Sequence, residues 1–186
     1  RVFDRVGGRT ENIIEDSGKN MLIYKLLKEN IDNLHYFNKI SKKQGFIGVV
    51  SKTITEFKKY NIAEETLINK KEELNEGELR DKIEDLSFIY HEFNDNLHKN
   101  YIDSEDELSL LAEKLKESHM YRDAEIWIDE FTTFTPQQME IIKILGKRCK
   151  RVNITLCSEG KNEEETDIFD AIKNTEYKLL KLMEEN

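Results

Sequence analysis

A strand, a capped helix and a second strand follow one another between Glu125 and Cys157, and that order permits one local topology. Ala124-Glu125-Ile126-Trp127-Ile128 is a short apolar run that ends in Asp129-Glu130-Phe131. Thr135-Pro136-Gln137-Gln138 reads as a helix start. Thr135 is the N-cap, Pro136 takes the first helical position, and Gln138 sits where a capping-box partner belongs. Gly146 is the expected stop. Val152-Asn153-Ile154-Thr155-Leu156-Cys157 reads as the second strand. Strands joined through a helix of this length run parallel, by a right-handed crossover. A parallel sheet needs cover on both faces, so this pair reads as a piece of a larger sheet. Trp127 is expected in its core, and residues 166–186 as helix.

Ahead of that segment the pattern is helical. Asp16 or Ser17 caps a helix running to about Asn30. Residues 34–60 read as one or two helices interrupted near Gly45, and another runs from about Ala63 to Leu74. The longest spans 76–98, where Leu79, Ile83, Leu86, Ile89, Tyr90, Phe93 and Leu97 recur at steps of three and four. Asp103 or Ser104 opens one more. Residues 1–16 are ambiguous, with Gly7-Gly8 as a turn signal.

The chain has 186 residues, enough for one large domain or a domain with an appendage. A formal net charge of -9 argues against a free-standing nucleic-acid binder that relies on a broad basic surface. Cys149 and Cys157 fit neither a metal site nor a disulfide framework, which points to a reducing, cytoplasmic setting. No apolar run is long enough to span a membrane. The chain opens on Arg1 rather than methionine, as expected of a fragment.

Asp129-Glu130 is the leading candidate for chemistry. Carboxylates at the carboxyl end of a parallel strand lie where ligands bind in open α/β sheets. In nucleotide hydrolases one such group holds the magnesium shell and the next orients water. The plain alternative is two polar residues closing a strand. Gly18-Lys19 suggests a phosphate loop but is rejected. Ile13 stands where the loop needs glycine, Asn20 where it needs Ser or Thr, and no preceding strand is apparent. His35, His91, His98 and His119 are scattered; His91 and His98 share a helix face without a third ligand. Lys42-Lys43, Lys58-Lys59 and Lys70-Lys71 read as solvated helix surface. Lys147, Arg148, Lys150 and Arg151 complement a helix C-terminus. No catalytic residue and no metal site is expected in the chain by itself.

Asp129-Glu130-Phe131, with Gln138 downstream, resembles the Walker B segment of the UvrD-like superfamily 1 helicases, especially the RecB-type branch. That branch commonly reads Asp-Glu-Phe-Gln-Asp here. This chain continues Thr132-Thr133-Phe134, and its next strand leads to Leu156-Cys157-Ser158-Glu159 rather than a Gly-Asp segment. Both departures weigh against an ATP-driven motor. Trp127 through Gln137 is closer to the B-subunit family of the AddAB helicase–nucleases. So are Val2-Phe3-Asp4-Arg5-Val6-Gly7-Gly8, Asp16 through Leu22, Phe169-Asp170, Thr175 and Leu179-Leu180.

The resemblance implies a fold that is mostly α with a small α/β part. Residues 1–120 would be an inserted helical subdomain. Residues 121–186 would be a partial RecA-like, P-loop NTPase-like sheet with a Walker B-like strand. It implies a non-catalytic internal fragment of a larger protein that processes double-strand DNA ends for recombinational repair and recognises Chi. Asp129 and Glu130 would be the remnant of its nucleotide and magnesium site. The parent would use ATP and magnesium, with an iron–sulfur cluster in a nuclease domain that this chain lacks. Its partners would be an AddA-like subunit and DNA, with no membrane. The rival expectation is a stand-alone helical adaptor whose strand pair is only structural.

Overall fold

The computed structural model describes residues 2–3, 12–41, 43–97, 101–157 and 169–184. The chain divides into two compact units. One is Thr10–Glu107; the other combines Arg1–Arg9 with Leu108–Asn186. The expected balance holds: helices dominate, and each unit carries a parallel pair of short strands. The pair expected near 125–129 and 152–157 is present and parallel. Among the described residues no helix is long and apolar enough to cross a membrane. Gly7-Gly8 and His98 lie outside the described residues.

The helical unit contains β1 (Asn12–Ile14), α1 (Asp16–Glu29), α2 (Gln44–Lys59), α3 (Glu64–Glu73), α4 (Glu78–Leu97) and β2 (Tyr101–Asp103). β1 and β2 pair in the register Asn12↔Tyr101 to Ile14↔Asp103. The long apolar stripe does become the core, with Ile89, Tyr90, Phe93 and Leu97 all buried. They meet Ile23, Leu26 and Leu27 of α1 and Val50 and Ile54 of α2. Leu79, in the first turn of α4, is exposed instead of joining the stripe. Helix α1 is preceded by Glu15, whose side chain makes no capping bond, rather than being capped by Asp16 or Ser17. Gly45 does not interrupt a helix but lies in the first turn of α2. The preceding residues are instead gathered by one buried carboxylate on α4. Asp85 accepts the backbone N–H groups of His35 (2.9 Å), Tyr36 (2.9 Å) and Phe37 (2.8 Å). Three backbone donors on one carboxylate anchor an otherwise irregular stretch.

The same unit buries a cluster of charge. Lys19 Nζ lies 2.9 Å from Asp103 Oδ1 and donates to Thr55 Oγ1 at 3.2 Å. Lys58 Nζ lies 3.3 Å from Asp103 Oδ2 and 2.6 Å from Asp106. Burial pushes the Asp103 carboxyl up. The Lys19 hydrogen bond, the Lys58 and Lys19 charges and the Glu105 N–H outweigh that and bring it below its ordinary value. Two cations and two carboxylates here form a compensated group, as buried charge requires.

The mixed unit contains most of α5 (Glu107–Glu117), then β3 (Glu125–Ile128), α6 (Pro136–Arg148), β4 (Arg151–Ile154) and α7 (Asp170–Glu184). β3 and β4 pair from Glu125↔Arg151 to Ile128↔Ile154. Val2, Ala112, Leu115 and Ile144 form the buried centre, with Leu111, Met120, Ile141 and Leu145 packed around it. Gly146 does not stop α6, which runs on to Arg148. The Arg148 guanidinium donates to the carbonyls of Lys116 and Ser118 at the end of α5, so the last turn of α6 is held by that contact.

Candidate functional site

The carboxyl end of the β3–β4 pair is built from separate segments of sequence. Asp129 and Glu130 leave β3 directly. Glu130 has φ +65°, a left-handed conformation uncommon for glutamate, which turns the chain out of the sheet. The Glu130 N–H donates to Asp129 Oδ1 at 2.9 Å. From the neighbouring strand, the Thr155 hydroxyl donates to the same oxygen. The Thr155 N–H donates to the Ile128 carbonyl at 3.0 Å, which extends the ladder one step past the strands. Thr155 hydrogen bonding first, then the Glu130 N–H, hold the exposed Asp129 carboxyl below its usual range.

The following segment is fastened as well. Phe131 and Phe134 stack with centroids 5.1 Å apart. The buried Thr175 hydroxyl of α7 reaches the Thr132 carbonyl at 2.9 Å and the Ala171 carbonyl at 2.8 Å. The capping box forms as expected. Thr135 N–H donates to Gln138 Oε1 (2.9 Å), and Gln138 N–H donates to Thr135 Oγ1 (3.3 Å). Gln137 is buried and donates to Ser109 Oγ at 3.0 Å, so α6 is pinned to α5.

Three further sequence expectations are overturned. Lys58, expected on solvated helix surface, is buried and paired with Asp103 and Asp106. Trp127 is not core: it is 70% exposed. Strand alternation puts it on the face of Asp129, away from Ile126 and Ile128. With Phe131, Phe134, Ile141 and Leu145 it lines an open, mainly apolar groove of about 370 Å³, which Asp129 also borders. A strand does precede Gly18-Lys19, in the form of β1. The rejection of a phosphate loop there gains a second reason, since Lys19 is 1% exposed and committed to Asp103. Gly18 has a packing role, because a Cβ there would meet Ile14 Cγ1 at 2.9 Å.

The basic cluster near 147–151 does not reach the carboxylates. Arg148 serves α5, and Lys150 pairs with Glu125 at 2.9 Å. Among the described residues no lysine or arginine pairs with Asp129 or Glu130. Both described donors fall on Asp129 Oδ1, which leaves Oδ2 for another partner. Among the described residues no group of three or more His, Cys, Asp or Glu is placed to hold a metal. A magnesium ion that brings its own waters and phosphate oxygens needs only one or two carboxylates, and Asp129 can supply one. His91 is a surface residue on α4, 2.8 Å from Glu64 of α3; that hydrogen bond raises its pKa. Cys149 and Cys157 are free thiols. Thr155 is a residue of this corner that the sequence does not single out.

The molecule is thus a helix-rich chain whose mixed unit ends in an acidic, apolar-flanked strand edge. The family model described as "ADDB, N-terminal" matches residues 1–186. The chain belongs to the AddB amino-terminal family. It is 47% identical over 190 residues to the B subunit of the ATP-dependent helicase/deoxyribonuclease of Clostridium botulinum strain Loch Maree, covering 100% of this chain and 17% of that protein. The protein of the same name from Clostridium perfringens strain ATCC 13124 is 48% identical over 186 residues, covering 99% and 16%. That from Clostridium kluyveri strain NBRC 12016 is 45% identical over 190 residues, covering 100% and 16%. The chain therefore spans about one sixth of the length of these relatives.

Proposed function

We propose that this chain is a non-catalytic segment of the B subunit of an ATP-dependent helicase/deoxyribonuclease acting at double-strand DNA ends in recombinational repair. In that reading residues 1–120 are the inserted helical subdomain and 121–186 part of a RecA-like sheet. Asp129 and Glu130 are the acidic corner of its nucleotide–magnesium site. An AddA-like subunit and DNA are the partners, and the cytoplasm is the setting. The observation that carries the reading is the open strand edge. A parallel pair with a tryptophan 70% exposed beside a carboxylate oxygen free of described donors suits a sheet continued by other chain. The phosphate loop would come from that remainder, since Lys19 is committed elsewhere.

The test compares the 186-residue chain with the full-length protein in complex with its partner. The chain alone should show no DNA-stimulated ATPase and no submicromolar binding of single-stranded or duplex DNA at moderate salt, given its net charge of -9. In the complex, Asp129→Ala should weaken magnesium-dependent binding of a fluorescent ATP analogue. Unchanged nucleotide binding in that variant would favour the adaptor reading, with the Trp127–Phe131 groove as a protein-docking surface.

A further inference from the structure

We propose that Thr155 is the positioning residue for Asp129: it fastens one carboxylate oxygen to β4 and leaves the other turned outward as a fixed acceptor for a hydrated magnesium ion. The inference rests on the reading of Asp129 as part of a nucleotide site and names the residue that sets its geometry.

Register sets the pair. Ile128 and Ile154 are partners, and the Thr155 N–H continues the ladder to the Ile128 carbonyl. The next cross-strand pair is therefore Asp129 and Thr155. Alternation places both side chains on the face that carries Trp127 and Asn153. An exposed aspartate ordinarily turns about its last torsion and presents either oxygen to any partner. Here two donors on two different segments converge on Oδ1. They are the Thr155 hydroxyl from β4 and the Glu130 N–H, whose direction is set by the left-handed turn at φ +65°. Satisfying one oxygen from both sides fixes the carboxylate plane. No described residue donates to Oδ2, so that oxygen keeps its acceptor capacity. The entropy of orienting the carboxylate is then spent in folding rather than at binding.

The surroundings are arranged to hold that geometry. Thr175 ties the segment just beyond Glu130 to α7, and the Thr135–Gln138 box fixes where that segment enters α6. Groups that orient a metal ligand without touching the metal typically change its affinity about 10- to 100-fold when removed. Thr155 stands in that relation to Asp129.

The experiment uses the full-length protein with its partner and measures affinity for a fluorescent ATP analogue, with magnesium and with EDTA. Thr155→Val removes the hydroxyl but keeps the strand-favouring shape, and Thr155→Ser keeps the hydroxyl. Because Thr155 is exposed, neither change threatens folding; unchanged thermal midpoints check this. Thr155→Val should lower magnesium-dependent affinity about 10-fold and leave binding in EDTA unaltered. Thr155→Ser should bind like the parent. Asp129→Ala is the reference. If Asp129→Ala loses magnesium-dependent binding while Thr155→Val keeps it, positioning by Thr155 is refuted and the site reading stands. If Asp129→Ala itself binds like the parent, both fall together.

Discussion

Replacing Asp103 by asparagine probes the buried charge cluster of the helical unit. Asp103 is fully buried and touches both Lys19 and Lys58. After the change Lys58 keeps Asp106, while Lys19, itself 1% exposed, keeps the Thr55 hydroxyl but loses its carboxylate. Stranding one member of a buried ion group costs about 3–5 kcal/mol. The asparagine oxygen recovers about 1 kcal/mol through one hydrogen bond. The net loss is about 2–4 kcal/mol, a large share of the roughly 5–15 kcal/mol that holds a typical domain together. Urea unfolding followed by far-ultraviolet circular dichroism measures it. Lys19→Met and the double variant complete a cycle. With Lys19 gone no cation is stranded, so the double variant should be more stable than the sum of the single losses predicts, by at least about 1 kcal/mol. The reasoning fails if Asp103→Asn costs less than about 1 kcal/mol, the range of an exposed pair, or if the losses simply add.

The Asp103 carboxyl titrates below its unfolded value, so its contribution is fully present above about pH 4 and is lost as pH falls through the folded value; acid titration of the helical unit should show this, and Asp103→Asn should flatten it. His91 works in the opposite sense, because its raised pKa stabilises below about pH 6.5 and the effect fades as pH rises through the folded value, a small term at an exposed pair that carbon-bound ring proton shifts would detect. Thr135→Ala removes the capping box of α6 and should cost about 1 kcal/mol, read from urea unfolding followed by far-ultraviolet circular dichroism. Trp127→Ser in the 186-residue chain should change stability by no more than about 0.5 kcal/mol, and acrylamide should quench Trp127 freely; a shielded, blue-shifted emission would contradict the exposed strand face.

Periodicity discloses what depends on neighbours along the chain. The Ile89, Tyr90, Phe93 and Leu97 stripe is visible in the sequence because one helix face meets the core over its last turns. The capping box is visible because Thr135 and Gln138 satisfy each other locally. The β1–β2 pair is not visible, since two three-residue strands far apart in sequence carry no alternation to read. Trp127 misleads because an apolar strand residue looks the same whether its cover comes from this chain or another. Asp129 and Glu130 can be placed at the strand end from sequence. Thr155 cannot be tied to them, because that contact exists only through the Ile128↔Ile154 register. Asp85 likewise reads as one more polar residue between Ile83 and Leu86. Its role comes from a distant turn, beginning at His35, meeting α4 in space.

β1 and β2 are the first and last strands of Thr10–Glu107, and they lie side by side. The polypeptide enters and leaves this unit through one doorway. A module with adjoining ends asks little of its host beyond two neighbouring attachment points. Adjoining ends are the geometry that lets a module be exchanged or replaced by a short turn. The helices and the buried charge cluster are thereby answerable to constraints inside their own unit, separate from those on the strand end bearing Asp129.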